Sequence, residues 1–323
     1  MNTRQRPWTV VIFACRESLS QLRQTLDAAK VSATSCAVIH VLINGNSALA
    51  SAFAQDLTQR QVSSTKDEGG PAVQVWSIPL GDKANAWNQY IHQIWAGEEI
   101  AFFIDGYVRV KANAIELLGH AVINNDHALG GSGVPTMGRT AMALRQDIIT
   151  NLGFHGNFCC IKGAAIRQMR DQHIRLPMGL YRTDGLMRAI LVYSLDPGRH
   201  AWDESRIHVH PDATWQIDPA HWWHIQDVHA FFKRYFRQLR GTLENAALKD
   251  HLTRRRRSPA ELPATARNLV LEWAMRYPDD FKRITRKNVL AKQALASFQS
   301  VGLMPSHTIK PTLVWHHDTQ TTS

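Results

Sequence analysis

EIAFFIDGYVRVKANAIELL, residues 99–118, holds the segment from which the architecture can be worked outward. It opens with a short continuous apolar run, EIAFFID (99–105), of the length and composition of a strand buried on both faces. The run stops at Asp105-Gly106-Tyr107, a turn that ends the strand in a single carboxylate.

Moving back from that strand, KANAWNQYIHQIWAG (83–97) predicts a helix and AVQVWSIPL (72–80) a strand. SSTKDEGG (63–70) reads as a polar loop, ALASAFAQDLTQRQ (48–61) as a helix and CAVIHVLIN (36–44) as a strand. SLSQLRQTLDAAK (18–30) carries leucines at helical spacing, and WTVVIFA (8–14) is another buried strand. Strands alternating with helices predict an α/β fold, with a mostly parallel sheet covered on both faces. The pattern changes after about residue 215. IQDVHAFFKRYFRQLRGTLENAALKDHL (225–252) is helical and basic, and TRRRRSPAELP (253–263) reads as an exposed linker. ARNLVLEWAMRYPDDFKRI (266–284) and NVLAKQALASFQSVG (288–302) are further amphipathic helices. The expected division is a catalytic region over 1–215 and a helical, basic region over 216–323.

The chain has 323 residues, 44% hydrophobic and 20% charged, which suits a soluble globular protein and is far from a disordered one. No apolar run approaches the length of a spanning helix. The basic N-terminus is followed by a short apolar run that breaks at Arg16 and Glu17, without a small-residue cleavage site. Neither an integral membrane protein nor a secreted precursor is expected. Cys15, Cys36, Cys159 and Cys160 offer no CxxC pair and read as reduced thiols of a cytoplasmic protein. The net charge of +10 asks for an anionic partner: a nucleotide, nucleic acid or an acidic membrane surface.

In open α/β sheets, ligands bind at the carboxyl ends of the strands. The strands here end in Ala14-Cys15-Arg16-Glu17, Asn44-Gly45-Asn46-Ser47 and Asp105-Gly106-Tyr107, and Gly81-Asp82-Lys83 precedes the third helix. Each is ordinary turn chemistry taken alone. Their shared position at strand ends makes them candidates for a nucleotide site.

The order of these segments resembles a family 2 glycosyltransferase with the GT-A nucleotide-sugar-binding fold. WTVVIFACRESLSQLRQTLDA (8–28) is similar to that family's opening strand, loop and helix, and VLINGNSALA (41–50) to its base-binding turn. GDKANAWNQYI (81–91) resembles its Gly-Lys-x-x-Ala-x-Asn segment, here Gly81, Lys83, Ala86 and Asn88 with one residue inserted. FFIDGYVRVKANAIELL (102–118) resembles the stretch around the DXD motif and the strand and helix after it. HGNFCCIKGAAIRQM (155–169) resembles the acceptor-side strand and helix, and YRTDGLMRAIL (181–191) the ED motif. The resemblance spans about residues 7–200 and departs at two places. Tyr107 stands where the second DXD carboxylate would be, and Thr183 where the glutamate of the pair would be.

The resemblance implies an inverting transferase with Asp184 as general base. The donor, a nucleotide sugar with uridine diphosphate as the expected nucleotide, would lie along Ala14, Arg16, Glu17, Asn44, Asn46, Lys83, Asp105 and Gly106. Thr183 and Trp215 would face the acceptor: a glycan, a lipid-linked intermediate or a small molecule. A divalent ion, manganese or magnesium, is implied in a weakened site of Asp105 and His210 or His208; otherwise lysine and arginine carry the diphosphate charge. His221, His224 and His229 match no family motif. Trp202, Trp215, Trp222 and Trp223 are either core or a sugar-stacking face. Arg234, Arg237 and Arg240 share a helical face, and Arg254 to Arg257 form a run able to touch an anionic membrane surface from the cytoplasmic side.

Three other readings are weighed. A sugar-nucleotide-forming nucleotidyltransferase would want a glycine-rich loop, and ACRESLSQL has no glycine. A nucleic-acid module would want a recognisable motif, and the basic residues are dispersed. A catalytically degraded relative that only binds nucleotide or glycan is the alternative that the Tyr107 and Thr183 replacements motivate.

Overall fold

The computed structural model describes residues 8–63, 70–136, 141–218, 240–286 and 309–317. The apolar runs become the centre of one sheet. Strands β1 (Trp8–Ala14), β2 (Cys36–Asn44), β3 (Ala72–Ile78) and β4 (Ile100–Asp105) lie in the order β3-β2-β1-β4, all parallel. Val10, Val11, Ile12, Phe102, Phe103 and Ile104 are fully buried, as expected of strands covered on both faces. Helices α1 (Leu19–Ser32), α2 (Ser47–Ser63) and α3 (Lys83–Gln89) make the crossovers. Ser18 caps α1 and forms a capping box with Gln21, so the chain turns into the helix directly after the strand-end loop. The 83–97 helix of the sequence reading ends its regular part at Gln89 and continues as a wider π-turn over Tyr90–Ile94.

Beyond β4 the sheet becomes mixed. β5 (Val108–Val110), α4 (Ala114–Ile123), β6 (Gly130–Pro135), α5 (Ala141–Thr150), β7 (Phe158–Lys162), α6 (Gly163–Asp171), α7 (Thr183–Val192) and β8 (Ile207–Ile217) follow. β7 runs antiparallel to β4 and β6, and β8 runs parallel to β6 and antiparallel to β5. The described strands take the order β5-β8-β6-β7-β4-β1-β2-β3-β9, the last being the strand Thr312–His317.

The C-terminal residues are not helical throughout. α8 (240–249), with a π-turn at Asp250–Arg254, precedes α9 (Ala266–Arg276) and α10 (Pro278–Arg286), while β9 (Thr312–His317) adds an antiparallel edge strand to β3. The single helix read over 266–284 breaks at Tyr277, because a residue before proline is driven out of the helical region. Leu243, Leu248, Leu252, Leu269 and Trp273 belong to the same buried cluster as Phe13, Trp87 and Phe103. The arginine run is tied down: Arg254 pairs with Asp280 at 3.5 Å, Arg256 donates to the carbonyls of Pro197 and His200, and Arg257 pairs with Glu261 at 3.2 Å. Cys15, Cys36, Cys159 and Cys160 are free thiols. No helix among the described residues is long and apolar enough to cross a membrane. Trp222, Trp223, His221, His224, His229, Arg234 and Arg237, with the helix read over 288–302, lie outside the described residues.

Candidate active site

The parallel strands all end on one side, and their turns close on each other there. Gly45 takes a φ of +62°, and a Cβ on it would stand 2.4 Å from the Gly81 backbone, so the turns after β2 and β3 can touch only with glycine there. Asn46 bridges onward, donating its amide to the Cys15 carbonyl at 2.9 Å and accepting from Leu49 N–H. Asn44 donates to the carbonyl of buried Ala14 at 3.1 Å. The Glu17 carboxylate accepts from the Arg16 backbone N–H at 2.9 Å, holding the β1 loop in shape. Together these turns wall a cavity of about 230 Å³ that also meets Lys83, Asp105 and Tyr107. A larger cleft, about 650 Å³, lies near Trp95, Glu98, Arg167 and Arg170 before β4, at the opposite end of the sheet from Asp105.

Lys83 is set by its helix start. Asp82 caps α3 by accepting from Asn85 N–H at 2.7 Å, and accepts from Gly179 N–H at 2.6 Å. The ammonium of Lys83 therefore projects from the first turn of α3 and forms an ion pair with Asp105. Burial by itself pushes the Lys83 pKa down, but the Asp105 carboxylate together with the Asp184 charge outweighs it and holds the ammonium above its ordinary range. The other Asp105 oxygen lies 3.2 Å from the Tyr107 hydroxyl, which is also 3.2 Å from the Asn157 side-chain oxygen. Burial, and then the Asp105 charge, pushes the Tyr107 phenol up, so it stays a neutral donor.

Asp184 reaches the same place from α7, whose buried residues share a cluster with those of α3. It sits in the first turn of α7, where its Oδ1 accepts from Gly185 N–H at 2.9 Å and its Oδ2 from Gly156 N–H at 3.3 Å. A Cβ on Gly156 would lie 3.3 Å from Lys83 Nζ and 3.4 Å from Asp184 Cβ, so lysine, glycine and aspartate are packed side by side. His155 completes the cluster. Burial lowers its pKa, against the opposing pull of Asp184 and Asp105, so the ring is neutral at pH 7. Its Nδ1 accepts from Asn157 N–H at 3.3 Å, which leaves Nε2 carrying the proton. A ring in that tautomer can donate to a ligand but is poorly placed to take its proton.

The structure brings together Ala14, Arg16, Glu17, Asn44, Lys83 and Asp105 of the expected nucleotide residues around the cavity. Asn46 and Gly106 support the turns behind it: Gly106 N–H donates to the Phe13 carbonyl at 2.8 Å, and a Cβ there would stand 2.9 Å from the same oxygen. Thr183 and Trp215 are buried. The Trp215 ring stacks on His155 at 5.5 Å and backs the site, where an open acceptor face was expected. His155, Gly156 and Asn157 were missed as functional residues, although the HGN turn just before β7 is visible in the sequence.

The expected metal pair does not assemble. His210 lies on β8, three strand spacings from β4, or about 14 Å at ~4.8 Å each. Its Nδ1 accepts from Asp212 N–H at 3.1 Å, and His208 is its ring neighbour at 6.3 Å. Among the described residues, no group of three or more histidine, cysteine or acidic side chains gathers to hold a metal. Asp105 is engaged by an ammonium and a hydroxyl, and a divalent ion wants several hard oxygen donors where the Asp105-Gly106-Tyr107 turn offers one such carboxylate. The described donors do not fit a divalent centre.

Neither a protein-family model nor a curated protein sequence matches this chain. Solved structures do. A mannosyltransferase, PcManGT from Pyrobaculum calidifontis, in complex with GDP-Man and Mn2+, aligns over 95% of this chain and 79% of its own, with 16% identity and a TM-score of 0.52. Glucosyl-3-phosphoglycerate synthase from Mycobacterium tuberculosis, in complex with phosphoglyceric acid, aligns over 72% of this chain and 79% of its own, with 15% identity and a TM-score of 0.45. The fold is therefore of the GT-A glycosyltransferase type, as the segment order implies.

Proposed function

We propose that the protein transfers a sugar from a nucleotide-diphosphate donor to a hydroxyl acceptor, by a single inverting displacement with Asp184 as general base. One observation carries the reading: Lys83, Asp105 and Asp184 converge at the carboxyl edge of a GT-A-type sheet, beside a cavity walled by the strand-end turns. The nucleotide would lie along Ala14 to Glu17 and Asn44. Asp184 would take the proton of the acceptor hydroxyl as its oxygen bonds to the anomeric carbon, and the bond from that carbon to the diphosphate oxygen would break. The departing diphosphate needs positive charge. Lys83 is positioned to supply it, with Asp105 holding the ammonium in its charged form.

The similar Pyrobaculum enzyme carries manganese and GDP-Man, so manganese and magnesium remain to be tested against Lys83, and guanosine beside the expected uridine donors. The test is donor hydrolysis and transfer across uridine- and guanosine-diphosphate sugars, with Asp184→Asn as control. The expected outcome is turnover of one donor, falling about 10²–10⁴-fold in Asp184→Asn with donor binding nearly unchanged. Donor binding without turnover under every condition would favour the degraded, binding-only relative that Tyr107 suggests. Equal turnover in Asp184→Asn would leave Asp184 as a helix cap.

A further inference from the structure

We infer that the groove between α7 and α8 is an acceptor subsite, fitted to the apolar body of an acceptor that also carries an anionic group. The inference rests on Asp184 as the base. Gly185 and Ala189 of α7 and Tyr193 at its C-cap recur every four residues, so they follow one stripe along the helix. The first two are small and leave a channel along it: the nearest atom to a Cβ on Gly185 would be Arg182 Cβ, at 3.7 Å. Leu248 and Leu252, from α8 and the turn after it, form the facing wall. The resulting cavity is about 520 Å³, within the size range of small-molecule sites.

Trp202 closes one side with 44% of its surface exposed. Its ring is held in place, with the Arg188 guanidinium 5.1 Å above it and the Tyr193 ring edge-on at 5.3 Å. An exposed indole fixed by its neighbours is a preformed stacking surface and loses little rotamer freedom when covered. Asp184 directly precedes Gly185, which lines the end of the groove, so an acceptor with its hydroxyl at Asp184 would extend the rest of its body along this stripe. At the rim stands Lys249, exposed and without an ion-pair partner among the described residues. An apolar lining with one free cation selects an amphipathic anion over an uncharged sugar.

The probes are decyl phosphate and 4-nitrophenyl phosphate, with neutral octyl glucoside as comparison, each titrated calorimetrically below micelle formation. The wild type is expected to bind a phosphate probe, the decyl or the nitrophenyl compound according to whether the body is alkyl or aryl. Ala189→Trp fills the channel and is expected to weaken that binding at least about tenfold. Lys249→Glu, at an exposed position, is expected to weaken the phosphate probe about tenfold and leave octyl glucoside unchanged. Titration with uridine diphosphate checks that each variant is folded, and if Ala189→Trp is not, Lys249→Glu decides. No phosphate-probe binding by the wild type, or binding indifferent to Lys249→Glu and to folded Ala189→Trp, overturns the subsite. These titrations need no turnover. Absent probe binding with a fully sensitive Asp184→Asn variant sinks the subsite alone, and intact probe binding with an insensitive one sinks the base alone.

Discussion

Lys83 and Asp105 are 22 positions apart in sequence and paired at the cavity between the strand-end turns, with the Tyr107 hydroxyl on the other carboxylate oxygen. This arrangement makes a specific demand on the diphosphate. If Lys83 supplies the charge, wild-type affinity for uridine or guanosine diphosphate is expected to be the same with manganese as with a chelator. Lys83→Ala is expected to weaken it at least about tenfold, since a charge-assisted hydrogen bond is lost. Tyr107→Asp restores a second carboxylate beside Asp105 and is expected to make affinity respond to manganese. Calorimetric titration of the three proteins decides, and a wild type that tightens in manganese would return the charge to a metal. The residue identities were legible in GDKANAWNQYI and FFIDGYVRV. The exclusion of His210 was not, because β8 joins the sheet at β6 and β5, away from β4, and this pairing leaves no trace in local spacing.

At the scale of elements, α3 is held at its start by one half-buried carboxylate. Asp82 satisfies two backbone donors at once, Asn85 in its own helix and Gly179 in the loop before α7. It thereby ties the element carrying Lys83 to the one carrying Asp184. Asp82→Ala leaves both donors unpaired and is expected to cost about 1–3 kcal/mol of stability, with weakened nucleotide binding beyond that of a mere cap deletion. Denaturant unfolding with and without uridine diphosphate measures both; stability lost with nucleotide affinity unchanged would confine Asp82 to capping. A similar tie secures α8, where buried Glu244 accepts from Arg240 and from Tyr181 N–H, each at 2.9 Å. β1 and β2 were readable to the residue, since a short apolar run between polar turns carries its own boundaries. β9 went unread because TLVWHH is a short segment whose one strand partner among the described residues is β3, more than 200 residues earlier.

For the whole molecule, acid is the expected weakness. His40 and His92 have pKa values lowered by burial from 6.5 to about 4. The unfolded chain binds those protons near pH 6.5 and the folded chain does not, so their contribution to stability is complete above that pH and is lost progressively as pH falls towards 4. His155, His208 and His251 are lowered in the same direction, chiefly by burial. The melting temperature is therefore expected to hold above pH 6.5 and to drop between 6.5 and 4, and His40→Gln to flatten part of that drop. A melting curve indifferent to pH across this window would mean that the rings are wet in solution. The sequence by itself determined the α/β alternation, the parallel core and the strand-end turns, because the hydrophobic period and turn chemistry are local and each segment states its own preference. Only the tertiary structure decided that Gly156 lets Lys83 and Asp184 lie side by side, that Trp215 backs His155, and that a groove opens between α7 and α8. Those relations depend on which strands pair and which helices pack across the sheet, and such long-range closures are fixed by the summed burial of the whole core.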